Sequence, residues 1–180
     1  MRIGLVFAGV LALPLAGGPG ARAHHLDAQN THLSFQIERL GLRWFTADFR
    51  DLAGDFALER NGRDGSLTVV VRTASVDARS SYWNERLRSP QWLDTERFPE
   101  MVFRSTGVTL AGAAATVAGE LTLHGVTRPL VLSVTDIDCP AAAGRSCRFL
   151  GRATLRRSEF GIPHGFWLGG DQVQIVVRGD

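Results

Sequence analysis

Four sets of residues in this sequence have the types and spacing to do chemistry. His24 and His25 follow the triplet Ala21-Arg22-Ala23. Released as a chain terminus, the α-amine and imidazole of His24 would suit the square-planar nitrogen set of copper, with His32, His124 or His164 completing it. The plainer reading is an unstructured chain end. Arg79, Arg86, Arg88 and Arg97 crowd one segment, with Arg39 and Arg43 upstream. Guanidinium forks hold phosphate or carboxylate well, although surface pairing with Asp77, Glu85, Asp94 and Glu96 is the favoured reading. Asp48, Asp51 and Asp55 lack the spacing and closing Glu of a calcium loop and read as a solvated edge beside Arg50. His124 interrupts "GELTLHGVTRPLVL" between two alternating arms. With no acid, base or ligand partner in view, it reads as a turn histidine that hydrogen-bonds locally.

No elbow of the G-x-S-x-G type follows the first 23 residues, nor H-E-x-x-H, a P-loop or G-x-G-x-x-G. The residues therefore suggest no acyl, phosphoryl or metal-hydrolytic chemistry and imply no cofactor.

"MRIGLVFAGVLALPLAGGPGARA" has a basic start at Arg2, an apolar run, a Gly/Pro break and a small-residue site ending at Ala23. This is the layout of a secretory signal. The reading is a signal peptide over 1–23 and one exported domain over 24–180. All 20 basic residues are Arg, and two of them lie in the leader, which leaves 18 against 18 Asp plus Glu. A net charge near zero gives no reason to expect nucleic acid as a partner. In an exported chain, Cys139 and Cys147 read as a disulfide stapling a loop, worth roughly 2–3 kcal/mol on the chain-entropy view.

Period-two alternation dominates the elements that must position these residues. Leu33, Phe35 and Ile37 alternate with polar residues, as do Phe45, Ala47 and Phe49, then Leu67, Val69 and Val71, and later Leu121 and Leu123. That pattern predicts antiparallel strands with one apolar face, cut by turn signals at Asn61-Gly62, Gly112, His124-Gly125 and Gly169-Gly170. Only the stretch around 79–89 has helical spacing, and Pro90 ends it. Eight or so strands with one short helical insert predict a closed barrel just wide enough for side chains or one ligand. Ala47, Gly119, Gly151 and Ala153 fall on the inward parity. They are either space for a ligand or corners where strands bend.

The order of motifs resembles the YceI-like family of periplasmic polyisoprenoid-binding proteins. "LRSPQWLD", "RFPEMVFRST", "GELTLHGVTRPL" and "RRSEFGI" occur in that order, within a match running from "NTHLSFQIERLGLRWFTADF" to "GDQVQIVV". The resemblance implies an all-β, eight-stranded antiparallel lipocalin-like barrel holding a long isoprenoid or other lipid. It tips the small inward residues toward a tunnel and implies that Trp92, Leu93, Phe98 and Phe103 line or close it. Where relatives commonly carry His, this chain has Asn30, Arg39 and Arg86; of the motif histidines only His124 remains.

The reading that follows is a carrier for a polyisoprenoid, isoprenoid quinone or fatty-chain lipid, with no catalytic residue and no metal. The expected lining is Phe35, Ile37, Phe45, Phe49, Val69, Val71, Phe103, Leu121, Leu123, Leu132, Phe149 and Ile175, besides Trp92, Leu93 and Phe98. Arg39 and Arg86 are the head-group candidates. The expected partners are the lipid ligand, a membrane surface touched transiently, and a second copy of the chain through exposed strand faces. Two alternatives stand beside it: a copper-binding or redox protein built on His24, and a barrel isomerase or cyclase acting on a bound lipid.

Overall fold

The computed structural model describes residues 22–39, 42–58, 65–138, 147–164 and 170–179. Its strands are β1 (Arg22–Asp27), β2 (Thr31–Arg39), β3 (Leu42–Phe49), β4 (Leu52–Leu58), β5 (Gly65–Arg72), β6 (Val76–Asp77), β7 (Glu100–Ala111), β8 (Ala114–Leu123), β9 (Val126–Asp138), β10 (Arg148–Arg156) and β11 (Gln172–Gly179). One helix, α1 (Ser81–Arg88), lies between β6 and β7.

The eleven segments reduce to eight strand paths. β1 pairs β4 from Arg22–Leu58 to Asp27–Ala53, and β2 pairs β3 from Leu33–Phe49 to Arg39–Leu42. Residues 22–39 and 42–58 are thus two antiparallel paths, each bent once at its middle. On the other side of the second path, β5 pairs β4 and β6 pairs β3, so 65–77 is a third bent path. With β7 to β11 these make eight. Each path is antiparallel to the next in sequence, and β11 returns to pair with β2. This is an up-and-down barrel in which every path is paired on both sides. Three bends turn the expected eight strands into eleven segments.

Local chemistry explains the bends. At the first, the Asp27 carboxylate accepts from the backbone N–H of Gln29 (2.8 Å) and Asn30 (3.1 Å). Asn30 Oδ1 in turn accepts from the Asp27 N–H (3.0 Å), and its Nδ2 donates to the His25 carbonyl (3.0 Å). Such short side chains offer the backbone a local alternative to the ladder. Asn30, a departure from the family pattern, is therefore a corner residue. At the second and third bends, Arg50 N–H donates to Ser75 O and Arg72 N–H to Asp51 O, which keeps the two corners together.

The helix is shorter than the expected 79–89. Arg79 has a positive φ of 56° and donates its N–H to the Asp77 carboxylate, so the chain is still turning there. At the other end Ser89, held before Pro90, takes ψ 162° and cannot continue the helix. The arginine pairing also differs from expectation. Asp77 takes Arg50 at 3.0 Å, and Arg79 lies 3.7 Å from Asp48. Asp55 pairs with His25 at 3.1 Å.

His124 and Gly125 form a two-residue hairpin turn between Leu123 and Val126, with φ of 52° and 74°. Two positive φ values in succession mark the type I′ turn that suits strand twist. The histidine does not bond locally: its Nδ1–H donates to the carbonyl of Phe160, 36 residues on, at 3.1 Å. That contact has structural consequence, because the β9–β10 ladder stops at the Ser133–Arg152 pair. Beyond it a 3₁₀ turn, Arg157–Phe160, packs on β9, and Arg128 Nε donates to Glu159 O at 3.3 Å.

Gly112 and Gly125 both hold positive φ, but a Cβ would meet open space at Gly112 and the Phe98 ring, 2.5 Å away, at Gly125. Gly112→Ala is expected to cost about 1–2 kcal/mol from backbone strain alone. Gly125→Ala should cost at least about 1 kcal/mol more, because the ring must move. Urea midpoints of the two variants check the order, and equal losses would show that the Phe98 contact carries no weight.

Candidate ligand cavity

Inward side chains fail to fill the barrel. A chamber of about 210 Å³ is lined from every path, from His24, Leu26 and Phe56 near one end to Val71, Met101 and Leu121 at mid-barrel. A second, of about 60 Å³, lies toward the end that carries α1, lined by Leu87, Trp92, Leu93, Leu123, Leu155, Arg157 and Ile162 among others. Leu33, Met101 and Ile175 line both, so the chambers are consecutive along the barrel. The main lining is apolar apart from His24, Thr31 and Cys147, and among the described residues no carboxylate lines either chamber.

The magnitude matters. An apolar void of roughly 150 Å³ stays dry and takes up benzene. At about 24 cal/mol per Å³ of void, leaving the 210 Å³ chamber empty forfeits about 5 kcal/mol of packing. That is comparable to the whole net stability of a small domain, about 5–15 kcal/mol.

The nominated lining residues divide between the chambers. Val69, Val71, Phe103, Leu121, Leu132, Phe149 and Ile175 line the larger. Phe35, Ile37, Phe49, Trp92, Leu93 and Leu123, again with Ile175, line the smaller. Two nominated aromatics line neither. Phe45 packs on Trp83 of α1, with ring centroids 5.2 Å apart. Phe98 lies against His124 at 4.6 Å, beneath the turn it shares with Gly125. Arg86 sits on α1 and lines neither chamber. Arg39 ends β2, and its side chain lies outside the described residues, as does Cys139.

The four small inward residues serve different ends. A Cβ on Gly119 would lie 2.5 Å from the ring of Phe103, so this glycine seats an aromatic ring. A Cβ on Gly151 would lie 3.3 Å from Leu132, closer than ordinary packing, so the leucine would have to shift by a few tenths of an ångström. Ala47 is buried without lining either chamber, and Ala153 alone of the four borders the main one.

Arg157 was not nominated, although the pattern points to it. Gly151, Ala153 and Leu155 are buried in alternation, and Arg157 continues that parity. It is 2% exposed and packs with its guanidinium carbon 4.7 Å from the centroid of the Trp92 ring. Loss of solvent pushes its pKa down, and the charge on Asp171 partly offsets this. Cation–π contact of this kind is worth about 2 kcal/mol or more when desolvated. Trp92 is 4% exposed, and its Nε1–H has no hydrogen-bond partner. A buried donor left so costs about 1–3 kcal/mol.

The histidines are dispersed: His24 stacks on Phe56 with centroids 6.5 Å apart, and His25 pairs with Asp55. Among the described residues no three His, Cys, Asp or Glu side chains gather to hold a metal ion.

A meander of eight strands closed around an unfilled apolar interior defines a lipocalin-like barrel. The chain belongs to the YceI-like domain family, which matches residues 24–179. It is 29% identical to Protein YceI of Escherichia coli O157:H7 over 181 residues, covering 97% of this chain and 93% of the relative. Among solved structures, Burkholderia cenocepacia BcnA superposes with a TM-score of 0.75 at 22% identity, covering 84% of this chain and 96% of that one. A domain from Saccharophagus degradans, described as polyisoprenoid-binding and implicated in plant cell wall breakdown, superposes with a TM-score of 0.59 at 15% identity, covering 87% and 97%.

Because Ala153 borders the void, Ala153→Leu is expected to stabilise the protein by about 0.5–2 kcal/mol. Thermal melts of the purified protein check this, and destabilisation would mean that the space beside Ala153 is already filled.

Proposed function

We propose that the protein is an exported carrier that holds a long-chain amphiphile, a polyisoprenoid, isoprenoid quinone or fatty-chain lipid, inside its barrel. The observation that carries the reading is the apolar interior, which spans consecutive chambers that the side chains do not fill, a shortfall of packing of about 5 kcal/mol. Filling it with hydrocarbon would recover that packing and add about 25 cal/mol for each Å² of apolar surface removed from water. Binding of this kind favours long chains and discriminates weakly among them. Membership of the YceI-like family and the description of the Saccharophagus domain support the same ligand class. On this reading the protein acts by binding rather than by turnover, in keeping with the YceI-like family. Loading and release would involve transient contact with a membrane surface.

Export belongs to the same reading. The leader ending at Ala23 would be removed, leaving His24 at the rim of the larger chamber. An oxidising compartment suits a Cys139–Cys147 disulfide, and no cysteine is free among the described residues.

Native mass spectrometry of the purified protein, followed by organic extraction, tests the carrier reading. The expected result is a bound long-chain lipid on a chain beginning at His24. Protein that elutes empty and takes up neither an isoprenoid quinone nor a fatty chain would overturn it. In the same sample, maleimide should label neither cysteine until a reductant is added. Labelling without reductant would remove the disulfide from the reading.

A further inference from the structure

The outer face of β10 and β11 departs from the charge balance of the chain. Arg residues and acidic residues after the leader number 18 each, yet β10 and β11 together hold four Arg and no Asp or Glu. Arg148, Arg152 and Arg156 recur at every fourth residue of β10 and are exposed, as is Arg178 on β11. At roughly 3.3 Å per residue, the three on β10 extend over about 26 Å. Arg178 pairs with Leu150 and so lies diagonal to both Arg148 and Arg152. Arg148 pairs with Asp138 at 2.6 Å, and Arg156 lies in the field of Asp171. Arg152 and Arg178 form no ion pair with a described carboxylate. The α1 segment is as rich in arginine, but there Asp77, Glu85, Asp94 and Glu96 match the charge.

This face is the outside of the chamber wall. Phe149 and Ala153 of β10, with Ile175 and Val177 of β11, line the larger chamber from the inner side of the same strands. Beside them the β9–β10 ladder stops at Ser133–Arg152, and Leu132 and Ala153, both chamber-lining, flank the place where the strands part. Val131, on the outward parity of β9, is 54% exposed at this seam. Fixed positive charge beside an exposed aliphatic side chain matches a bilayer surface. There phosphate head groups take the guanidinium forks, and hydrocarbon lies just below. Resting on the carrier reading, we propose that the β9–β10–β11 face docks on an anionic lipid bilayer, with the seam turned toward the membrane that supplies or receives the ligand.

Flotation of the purified protein with vesicles tests the proposal. Vesicles of phosphatidylglycerol and phosphatidylcholine in equal parts should carry the protein with them, and vesicles of phosphatidylcholine alone should not. Raising the salt to about 1 M, where charges are screened beyond about 3 Å, should release it. Arg152→Gln with Arg178→Gln should weaken binding to the mixed vesicles by about tenfold or more. Arg72→Gln with Arg104→Gln removes the same charge from exposed positions of β5 and β7, and should bind as the wild type does. Uptake of a fluorescent fatty acid from the mixed vesicles should slow in the first double variant and not in the second. The amount of lipid recovered by organic extraction should be the same in all three proteins.

Wild-type protein that stays off the mixed vesicles would overturn this proposal, as would equal binding to both vesicle types. Equal losses in the two double variants would do the same, since net charge and not this face would then govern docking. In each case, lipid recovered on extraction leaves the carrier reading standing. Protein that holds no lipid overturns the carrier reading, and flotation then reports on the docking face alone. Should the first double variant not fold, the composition and salt dependence of the wild type decides the question.

Discussion

Pairing of every strand path on both sides is the constraint from which the rest of the molecule follows. When 22–39 pairs with 42–58 on one side and with β11 on the other, the inward half of each strand is committed to one enclosed space. The radius of that space is set by strand number and tilt, not by the side chains available to fill it. Eight strands leave a width that large side chains fill. This chain places Ala115 and Ala153 along the main chamber, and the shortfall is the cavity. Backbone pairing thus fixes a volume, and the choice of side chains determines how much of it is left open.

The interior is uneven in character along its length. At one end it is bordered by Val, Leu, Ala and Phe from β7 to β11, which can yield to a chain without leaving a polar group unsatisfied. At the other, α1 and the segment after it press Leu87, Trp92 and Leu93 into the barrel, and Arg157 comes in from beyond β10. Burying a guanidinium there is costly. The face of the Trp92 ring offsets part of that cost, and Arg157 and Ser158 are tied to Asp171 by the Arg157 N–H bond to Asp171 O and the Ser158 bonds to the Asp171 carboxylate.

Much of this was legible in the sequence because period-two alternation reports which side chain faces inward, independent of how a strand curves. Leu121, Leu123, Leu132 and Val134 are buried as their parity requires, and the motif order led to the family. What the alternation cannot report is where a strand bends without changing parity. The corner at Asp27–Asn30 depends on side-chain bonds within the turn and that at Arg50–Asp51 on backbone bonds between neighbouring paths, and such bonds leave no periodic trace. Phe45 and Phe98 have the right parity or motif, yet α1 and the Gly125 turn claim them as packing surfaces. Arg157 has the parity of an inward residue, but a charged side chain does not register in an apolar alternation.

His124 shows how a marker residue can matter without chemistry of its own. Between β9 and β10 the ladder ends at Ser133 and Arg152, although both strands continue toward α1. Strands that part in this way would leave backbone groups unpaired and the barrel seam open. The β8–β9 turn closes the distance from one side, and the 3₁₀ turn after β10 closes it from the other. The Nδ1–H of His124 on the Phe160 carbonyl and Arg128 on the Glu159 carbonyl are the bonds that join them. Since the acceptor is a carbonyl, the Nδ1 of His124 is the donor in this bond. The positive φ of His124 is part of the same arrangement. It turns the ring away from the strand line and toward Phe160, where the seam needs a donor.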